Sequence, residues 1–325
     1  MRTRCLDSGM AHSTEQRVGE TRTEADIVVV GGGVAGLQAA LVLGRARRSV
    51  TVVDGGEPRN ARARAVHNLA GHEGIAPADL LDRARADARR YGVRIVTGTV
   101  TEARREGPDL VVAVGGGGTV RAGALVLATG VAEDLPQVEG LAELWGGDVV
   151  SCPYCHGWEA QGLPVAVVGS GARAWLQLLL LQRFTDDLVL LSDGPAELDA
   201  ARLAHLRRTS VTVREDPIAR VVADRGRLTG VEFADGELLP RGVLFASATR
   251  RPASALPAAL GCDVVDAGVT TDADGFTGVP GVWAVGSCAQ PALTVAGSVG
   301  HATTTAIALN TALITASFTA SITGV

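Results

Sequence analysis

Short runs of apolar, mostly β-branched residues alternate with helical patterns along the chain. The run from Asp26 to Val30 is typical of a buried parallel strand. It leads into the glycine-rich turn Gly31–Gly36, after which leucines and alanines predict a helix. The run from Val50 to Val53 predicts the next strand, which ends in Asp54. This order of strand, glycine turn, helix and strand predicts a βαβ unit.

The same order recurs in the second half of the chain. A strand is predicted at Val165–Val168, followed by the glycine-containing turn Gly169–Ala174. A helix is then predicted at Trp175–Phe184 and another strand at Leu188–Leu191. Two units of this kind predict an α/β fold with two Rossmann-like dinucleotide-binding domains.

The segment between the two units predicts further elements. Pro77–Tyr91 is expected to form a helix, because proline is favoured at the first helical position. Val93–Thr97 is expected to form a strand. Asp109–Arg121 predicts a hairpin around a glycine turn, and Leu125–Leu127 predicts a separate strand.

The two ends of the chain differ from the rest. Residues 1–24 mix charged and hydroxyl side chains without an apolar core, so we expect a disordered arm, no secretory signal and a cytoplasmic protein. No charged residue occurs after Asp274. Such a tail suits a membrane span or a helix buried against a cofactor or a second subunit. Its many polar residues favour the buried helix, so no membrane partner is expected.

Composition restricts the function further. The chain has 325 residues, of which 46% are hydrophobic and 3% aromatic, and its net charge is −5. At about 150 residues per domain, the length suggests two domains. Few aromatic residues and a negative charge argue against a nucleic-acid partner.

The first glycine turn has the spacing of a dinucleotide-binding motif. Gly31, Gly33 and Gly36 fit GxGxxG, in which the glycines permit a tight turn, close approach of a pyrophosphate and close helix packing. Asp54 ends the next strand, where an acid holds ribose hydroxyls. The alternative is an ordinary glycine turn in an α/β protein.

One pair of cysteines has a redox spacing. Cys152 and Cys155 can close a disulfide across one turn, and a helix N-terminus there lowers a thiol pKa below its usual value of about 8.5. His156 adds an acid or base. The alternatives are a zinc site and an inert pair, but no second ligand pair is spaced for zinc, so no metal is expected. The remaining cysteines stand alone in the sequence: Cys5, Cys262 and Cys288.

Together these motifs resemble the low-molecular-weight thioredoxin reductases. The likeness rests on Gly31–Gly36 with Asp54–Asn60, on Ala128–Gly130, on the cysteine pair, and on Gly278–Gly286 with Ala292–Gly297. It implies FAD as cofactor and a homodimer. The FAD contacts that it implies are Gly31, Gly33, Val34, Ala35, Gly36, Asp54, Gly55, Arg59, Asn60, Ala128, Thr129, Gly130, Gly286, Ser287, Ala292, Leu293 and Thr294.

The resemblance also implies a division of the chain. Residues 25–133 and 248–325 are expected to form the FAD-binding domain, with a dimer-interface helix at the end. Residues 134–247 are expected to form an NAD(P)-binding-like domain that carries the cysteines.

Three departures from thioredoxin reductases stand out. His156 replaces an aspartate, and Ser287 replaces another. The place of a basic cluster for the NADPH 2′-phosphate is taken by Ser192–Pro195, which contains Asp193. A carboxylate 4 Å from a phosphate costs about 4 kcal/mol per charge pair at an effective dielectric constant of about 20. NAD(P)H is therefore doubtful at this site, and NADPH in particular is disfavoured, whereas NADH stays open.

The string from Cys152 to Glu159 is more similar to a subgroup of related dithiol oxidases. These enzymes close disulfides in natural products of the gliotoxin, holomycin and romidepsin type, and the likeness implies a small dithiol substrate. It also implies that substrate attacks Cys152, that His156 moves protons, and that Cys155 passes electrons through FAD to O2.

Several alternatives stay open. The function is that of an oxidase, an NAD(P)H-dependent thioredoxin or disulfide reductase, or a flavin-binding protein without turnover. His301 is a second candidate base or a packed interface residue. Tyr154 and Trp158 either line a substrate pocket or pack beneath the domain.

Overall fold

In the computed structural model, which describes residues 22–323, strands and helices alternate along the chain. The helices are α1 (Val34–Arg45), α2 (Pro77–Arg90), α3 (Pro153–His156), α4 (Gly171–Leu181), α5 (Ala200–Arg208), α6 (Leu256–Ala259) and α7 (Val295–Thr323). The strands are β1 (Arg22–Val30), β2 (Val50–Asp54), β3 (Arg94–Thr97), β4 (Val100–Glu106), β5 (Asp109–Val114), β6 (Gly118–Leu127), β7 (Val131–Asp134), β8 (Val149–Val150), β9 (Val165–Val168), β10 (Leu188–Leu191), β11 (Thr212–Arg214), β12 (Ile218–Asp224), β13 (Arg227–Phe233), β14 (Leu238–Pro240), β15 (Val243–Ala246), β16 (Thr249–Pro252), β17 (Val264–Val265), β18 (Gly268–Val269) and β19 (Val282–Ala284).

The first sheet holds the first glycine turn. Its strand order is β3-β2-β1-β6-β5-β4, and β19 also pairs with β6. Strands β1, β2, β3, β6 and β19 run parallel, whereas β4, β5 and β6 are antiparallel neighbours. The apolar runs predicted as buried strands form β1 and β2, and Ile27 and Val52 have no exposed surface. The carboxyl ends of the parallel strands meet at one edge.

One prediction in this sheet was wrong, and one strand was missed. Leu125–Leu127 is not a separate strand but the end of β6, whose first half pairs with β5 and second half with β19. β4 was missed, because most of its side chains are polar and only Ala103 is buried. Since the backbone supplies the sheet hydrogen bonds, polar side chains do not prevent a strand. The helix predicted at Pro77–Tyr91 is confirmed by α2.

The predicted arm is also corrected where the structure describes it. β1 begins at Arg22, and the backbone from Arg22 to Glu24 pairs with Thr119–Arg121 of β6. Thr23 Oγ1 also donates to the carbonyl of Thr119 at 3.3 Å. Residues 22–24 therefore extend the sheet despite their polar side chains. The prediction for residues 1–21 lies outside the described residues.

The second sheet is entirely parallel and holds the second glycine turn. Its strand order is β11-β10-β9-β15-β8. α4 begins at Gly171, earlier than the predicted start at Trp175, because the turn after β9 is shorter than expected. Both faces of the sheet are buried. Two parallel-sheet units with crossover helices confirm the predicted α/β fold with two Rossmann-like domains.

Two antiparallel strands join the units. β7 leaves the first unit, β16 returns to it, and Asp134 pairs with Thr249. The segment between them contains the second sheet and the smaller sheet β12-β13-β14. The second unit is thus inserted into the first through one paired link.

The uncharged tail forms the long helix α7. Its first half packs on α1, where Ala302, Ala306 and Leu309 are buried and Gln38 Nε2 donates to Thr303 Oγ1 at 2.9 Å. Beyond Asn310 most of its described side chains are exposed. Within residues 22–323, no helix combines the length and the apolar character needed to cross a membrane.

Candidate functional site

The first glycine turn leaves the N-terminus of α1 open. Gly31 has a φ of +108°, and a Cβ there would lie 2.4 Å from the carbonyl oxygen of Ala128. A Cβ on Gly36 would lie 1.9 Å from the Gly31 oxygen, so these two positions need glycine. Gly33 faces open space, and no described side chain caps α1. The free N–H groups and this space fit the pyrophosphate of a dinucleotide.

Asp54 closes this turn from the next strand. Its Oδ1 accepts hydrogen bonds from the backbone N–H groups of Gly32 at 3.2 Å and Gly56 at 3.1 Å. Its Oδ2 pairs with Arg85 Nη2 of α2 at 3.1 Å. Asp54 therefore shapes the glycine turn, in addition to the ribose contact predicted for it. The sequence reasoning missed Arg85, which is one of many arginines on a helix without a distinguishing motif.

Several other predicted cofactor residues meet the glycine turn at the same edge of the sheet. Ala128 lies against Gly31 and Gly36, and Ala35 lies against Gly286. Ser287 Oγ is 3.5 Å from the position of a Cβ on Gly130. Thr129 Oγ1 contacts Cys288 Sγ at 3.2 Å. The loop after β6 and the turn at Gly286–Cys288 thus form one surface with the start of α1, where Val34 is the first helical residue.

The remaining predicted cofactor residues lie around this surface. Arg59 pairs with Glu133, and its Nη1 lies 3.5 Å from the carbonyl of Pro291, just before Ala292–Thr294 and α7. Gly55 lies near Thr99. The carbonyl of Asn60 accepts from the N–H of Ala63. No described side-chain contact joins Gly55 or Asn60 to the glycine turn, so their role stays a prediction.

The cysteine pair forms a disulfide at the start of α3. The two Cα atoms are 5.2 Å apart, and Cys152 is the N-cap with Pro153 next to it. The N–H of Cys155 donates to Cys152 Sγ at 3.2 Å. Both cysteines are half-buried. The predicted pairing and helix start are therefore present, and a thiolate at Cys152 would be stabilised by this N–H group.

His156 completes this helix and is held in its neutral form. Burial lowers the pKa of His156, against opposing effects of Glu159 and the Cys152 backbone. Its Nδ1 is buried and has no hydrogen-bond partner among residues 22–323. A neutral imidazole is suited to accept a proton from a thiol at neutral pH.

A loop from the first unit contacts the disulfide helix, and the sequence reasoning missed it. Asn68 Nδ2 donates to the carbonyl of Tyr154 at 2.8 Å. His67 lies between two acids, with Nδ1 2.6 Å from Glu73 and Nε2 3.4 Å from Glu159. The hydrogen bonds from His67 and from the N–H of Asn68 lower the pKa of Glu73. These contacts join residues far apart in the chain, which no local pattern reveals.

The second glycine turn is covered. The N–H of Gly171, the first residue of α4, donates to the carbonyl of Ala196 at 3.0 Å. Ser170 Oγ donates to Glu197 Oε2 at 3.2 Å, and this oxygen lies 3.3 Å from where a Cβ on Gly171 would be. An exposed carboxylate therefore occupies the position where a pyrophosphate would approach. The sequence reasoning did not identify Glu197.

Asp193 takes part in the same loop. Its Oδ1 accepts from the N–H of Ile218 at 2.8 Å, and Ala196 N donates to Glu215 Oε1 at 2.9 Å. Asp193 and Glu197 both have positive φ angles, of 52° and 53°. The loop that carries both acids is thus fastened over the start of α4.

The remaining candidate residues are buried or hydrogen-bonded within the fold. Burial raises the pKa of the thiols of Cys262 and Cys288. His301 Nδ1 accepts from the N–H of Gly286 at 3.1 Å, which fixes the turn before Ser287. Within residues 22–323, no group of three or more His, Cys, Asp or Glu is arranged to hold a metal ion. Cys5 lies outside the described residues.

The chain is similar to curated thioredoxin reductases. It is 29% identical over 286 residues to thioredoxin reductase sirT of Leptosphaeria maculans, which covers 82% of this chain and 87% of that protein. It is 32% identical over 228 residues to thioredoxin reductase tcpT of Claviceps purpurea, which covers 66% of this chain and 71% of that protein. The resemblance expected from the motifs is therefore confirmed.

Comparison with solved structures agrees with this result. The crystal structure of HlmI superposes with a TM-score of 0.87 at 38% identity, covering 92% of this chain and 97% of HlmI. The sequence model of the pyridine nucleotide-disulphide oxidoreductases matches residues 25–307. The chain, an oxidoreductase with a disulfide beside a dinucleotide-binding fold, belongs to the pyridine nucleotide-disulphide oxidoreductase family.

Proposed function

We propose that the protein is an FAD-dependent dithiol oxidase that closes an intramolecular disulfide in a small-molecule natural-product dithiol. The observation that carries the proposal is the Cys152–Cys155 disulfide with the neutral His156 beside it. A disulfide accepts electrons from thiols through exchange, and a neighbouring base supplies the attacking thiolate.

The first half-reaction joins the substrate to Cys152. A substrate thiol gives its proton to His156, and the thiolate attacks Cys152 Sγ. The bond between Cys152 and Cys155 breaks, and Cys155 leaves as a thiolate. The lowered pKa of His156, which leaves the imidazole neutral at neutral pH, supports its role as the proton acceptor.

The second half-reaction releases the product. His156 passes its proton to the Cys155 thiolate and then takes the proton of the second substrate thiol. The resulting thiolate attacks the substrate sulfur of the mixed disulfide, which breaks the bond to Cys152. The N–H of Cys155, which already donates to Cys152 Sγ, stabilises the leaving thiolate. The substrate has then lost two electrons and two protons, and the cysteine pair has gained the two electrons.

The two glycine turns support the proposed path of these electrons. Bound at the start of α1, FAD would supply the two-electron chemistry that couples the reduced cysteines to O2, and the two protons taken from the substrate would leave in the product H2O2. The open start of α1 at Gly33 supports FAD binding there. The carboxylate of Glu197 at the start of α4 supports O2, rather than NAD(P)+, as the final acceptor.

A second candidate is an NAD(P)H-dependent thioredoxin or disulfide reductase. The similarity to the thioredoxin reductases sirT and tcpT favours it, as does the glycine turn retained at Gly169 and Gly171. It requires the loop with Asp193 and Glu197 to leave the start of α4 when a nicotinamide nucleotide binds.

Oxygen uptake distinguishes the two candidates. Holoenzyme with dithiothreitol should consume O2 and form one H2O2 per disulfide, whereas NADH and NADPH should not bleach the flavin absorbance under anaerobic conditions. Cys152→Ser and Cys155→Ser should abolish uptake, and Cys262→Ala, at a buried thiol outside the disulfide, should retain it. Rapid bleaching by NADPH without dithiol-dependent O2 uptake would establish the reductase.

We further propose that the enzyme is a cytoplasmic homodimer. The outer half of α7 supports a dimer, because Ile314, Phe318 and Ile322 are 55%, 64% and 68% exposed on a helix without charged residues. Exposed apolar patches of this kind mark protein contacts. Light scattering of the holoenzyme should give twice the chain mass, and Phe318→Glu should lower it.

A further inference from the structure

The solvent-facing side of α3 and of the turn that follows it is aromatic. Pro153, Gly157 and Ala160 are buried, whereas Tyr154 and Trp158, one turn apart, are 70% and 73% exposed. A Cβ on Gly157 would lie 2.6 Å from the ring of Phe184, so this turn is packed tightly and its orientation is fixed. The alternative that Tyr154 and Trp158 pack beneath the domain is therefore wrong.

The same side carries negative charge. Glu159 follows Trp158, and Glu73 reaches this place from the first unit through His67. The two carboxylates contact one imidazole, so the three groups carry a net charge of minus one or minus two, whichever protonation state His67 has. Both carboxylates are accessible, with side chains 45% and 64% exposed.

His156 does not offset this charge, because burial lowers its pKa and keeps it neutral at neutral pH. A dithiol that approaches the Cys152–Cys155 disulfide past this side meets two aromatic rings and a negative field. Flat apolar groups stack favourably on exposed rings, whereas a negative substituent is repelled.

We propose that Tyr154 and Trp158, together with Glu73 and Glu159, select small dithiols that carry a flat apolar ring and no negative charge. This inference rests on the proposed function for the reaction that follows binding. The carboxylates select by charge, and the rings select by stacking. The four side chains are specificity-determining residues, while Cys152, Cys155 and His156 carry the chemistry.

Dihydrolipoamide and dihydrolipoate test the charge. Both present the same dithiol, but only the acid is negative. The readout is the second-order rate constant for anaerobic reduction of the oxidised holoenzyme, which does not depend on the electron acceptor. At about 10 mM ionic strength, where the Debye length is about 30 Å, the amide should react about fivefold faster, which corresponds to about 1 kcal/mol. At about 1 M salt the difference should disappear.

Two charge-neutralising variants locate the effect. Glu159→Gln should reduce the preference for the amide to less than about twofold. Asp266→Asn makes the same change in net charge on the exposed turn between β17 and β18, where asparagine tolerates the positive φ of 47°, and should leave the preference unchanged. An equal loss in both variants would show that net charge, and not this side of the disulfide, is responsible.

The N-benzyl amide of dihydrolipoic acid tests the rings. It should react about three- to tenfold faster than dihydrolipoamide. Trp158→Leu should remove this advantage, so that the variant's rate constants with the benzyl amide and with dihydrolipoamide lie within about twofold of each other, since leucine retains apolar bulk but cannot stack as a ring does. Tyr154→Leu should act in the same direction.

The outcomes separate this inference from the proposed function. Equal rates for the acid, the amide and the benzyl amide would overturn the inference, even if all three were oxidised with O2. If the three dithiols reduced the disulfide at different rates, as expected, but no O2 were consumed, the proposed substrate selectivity would be supported and the proposed oxidase function would be overturned.

Discussion

The two glycine turns share a backbone but differ in what lies over them. Gly31 and Gly169 both have large positive φ angles, of 108° and 135°, and both are packed so closely that a Cβ would collide, with Ala128 in one case and Ser247 in the other. The start of α1 is open, whereas Ala196 and Glu197 cover the start of α4. The difference teaches that a glycine motif specifies a turn, while a distant loop decides whether the turn is accessible to an anion.

Adding a larger side chain at the start of α1 or of α4 should give the largest difference in FAD binding between the two turns. Gly33→Val places a side chain in the open space before α1 without a clash inside the protein, so FAD affinity should fall by about 100-fold or more, because the pyrophosphate is displaced from the N–H groups. Ala172→Val adds similar bulk at an exposed side chain in the first turn of α4 and should retain the flavin. The ratio of flavin to protein absorbance after gel filtration measures both. Equal retention of flavin would mean that FAD does not use the first turn.

Removing the carboxylate of Asp54 or of Asp193 should give the next largest difference in FAD affinity. Asp54→Ala removes an acceptor from the N–H groups of Gly32 and Gly56 and the partner of Arg85, so FAD affinity should fall about tenfold to 100-fold. Asp193→Ala removes the bond to the Ile218 N–H and should leave FAD affinity unchanged. Titration of the apoprotein with FAD, followed by flavin fluorescence, checks both values. Similar losses would contradict the separate roles assigned to the two units.

The covered turn should become accessible when Glu197 is removed. Glu197→Gly deletes the carboxylate and suits the positive φ of 53°, so NADH affinity should rise about tenfold, since repulsion of each pyrophosphate charge costs about 1 kcal/mol at 4 Å in water. Glu197→Gln removes the charge but keeps the bulk and should give a smaller gain. Calorimetric titration with NADH measures the affinities. No gain in either variant would show that something other than Glu197 closes the turn.

The pH dependence of kcat tests His156, which belongs to the disulfide site and to neither glycine turn. The ordinary pKa of histidine is about 6.5. Because burial lowers the pKa of His156, its imidazole should stay neutral, and active as a base, when the pH falls to that value. The ratio of the kcat of wild type to that of His156→Asn should therefore fall only below about pH 6.5. His205→Asn, at a histidine that packs on Trp175, should give a ratio that does not vary with pH. A midpoint above 6.5 would contradict the neutral base.

The sequence predicted the parts of this comparison that depend on local patterns. Both strand–turn–helix units and the cysteine pair followed from apolar runs, glycine spacing and the CxxC motif. The covering of the second turn was not predicted, because Glu197 reaches Ser170 through a loop fastened by Asp193 and Glu215. These contacts depend on tertiary packing, which no short window of sequence contains.

The same reason explains what was missed at the disulfide. From the other unit, Asn68 reaches α3 and His67 reaches Glu159 in the turn that follows it, and their own segment has no motif that distinguishes it. The exposure of Tyr154 and Trp158 was left open, because helical spacing predicts that they share a face but not which way the face points. The start of β1 at Arg22 was missed because its pairing with β6 depends on backbone groups.

The paired link between the units bears on how such an architecture is assembled. Asp134 and Thr249 are opposite each other in one antiparallel ladder, so the chain enters and leaves the second unit at the same point. An insertion whose ends are already adjacent demands little loop-closure entropy from its host. Every strand of the first sheet lies outside residues 135–248. Gaining or exchanging the inserted unit that carries the cysteines would therefore leave the hydrogen bonds of the first sheet intact.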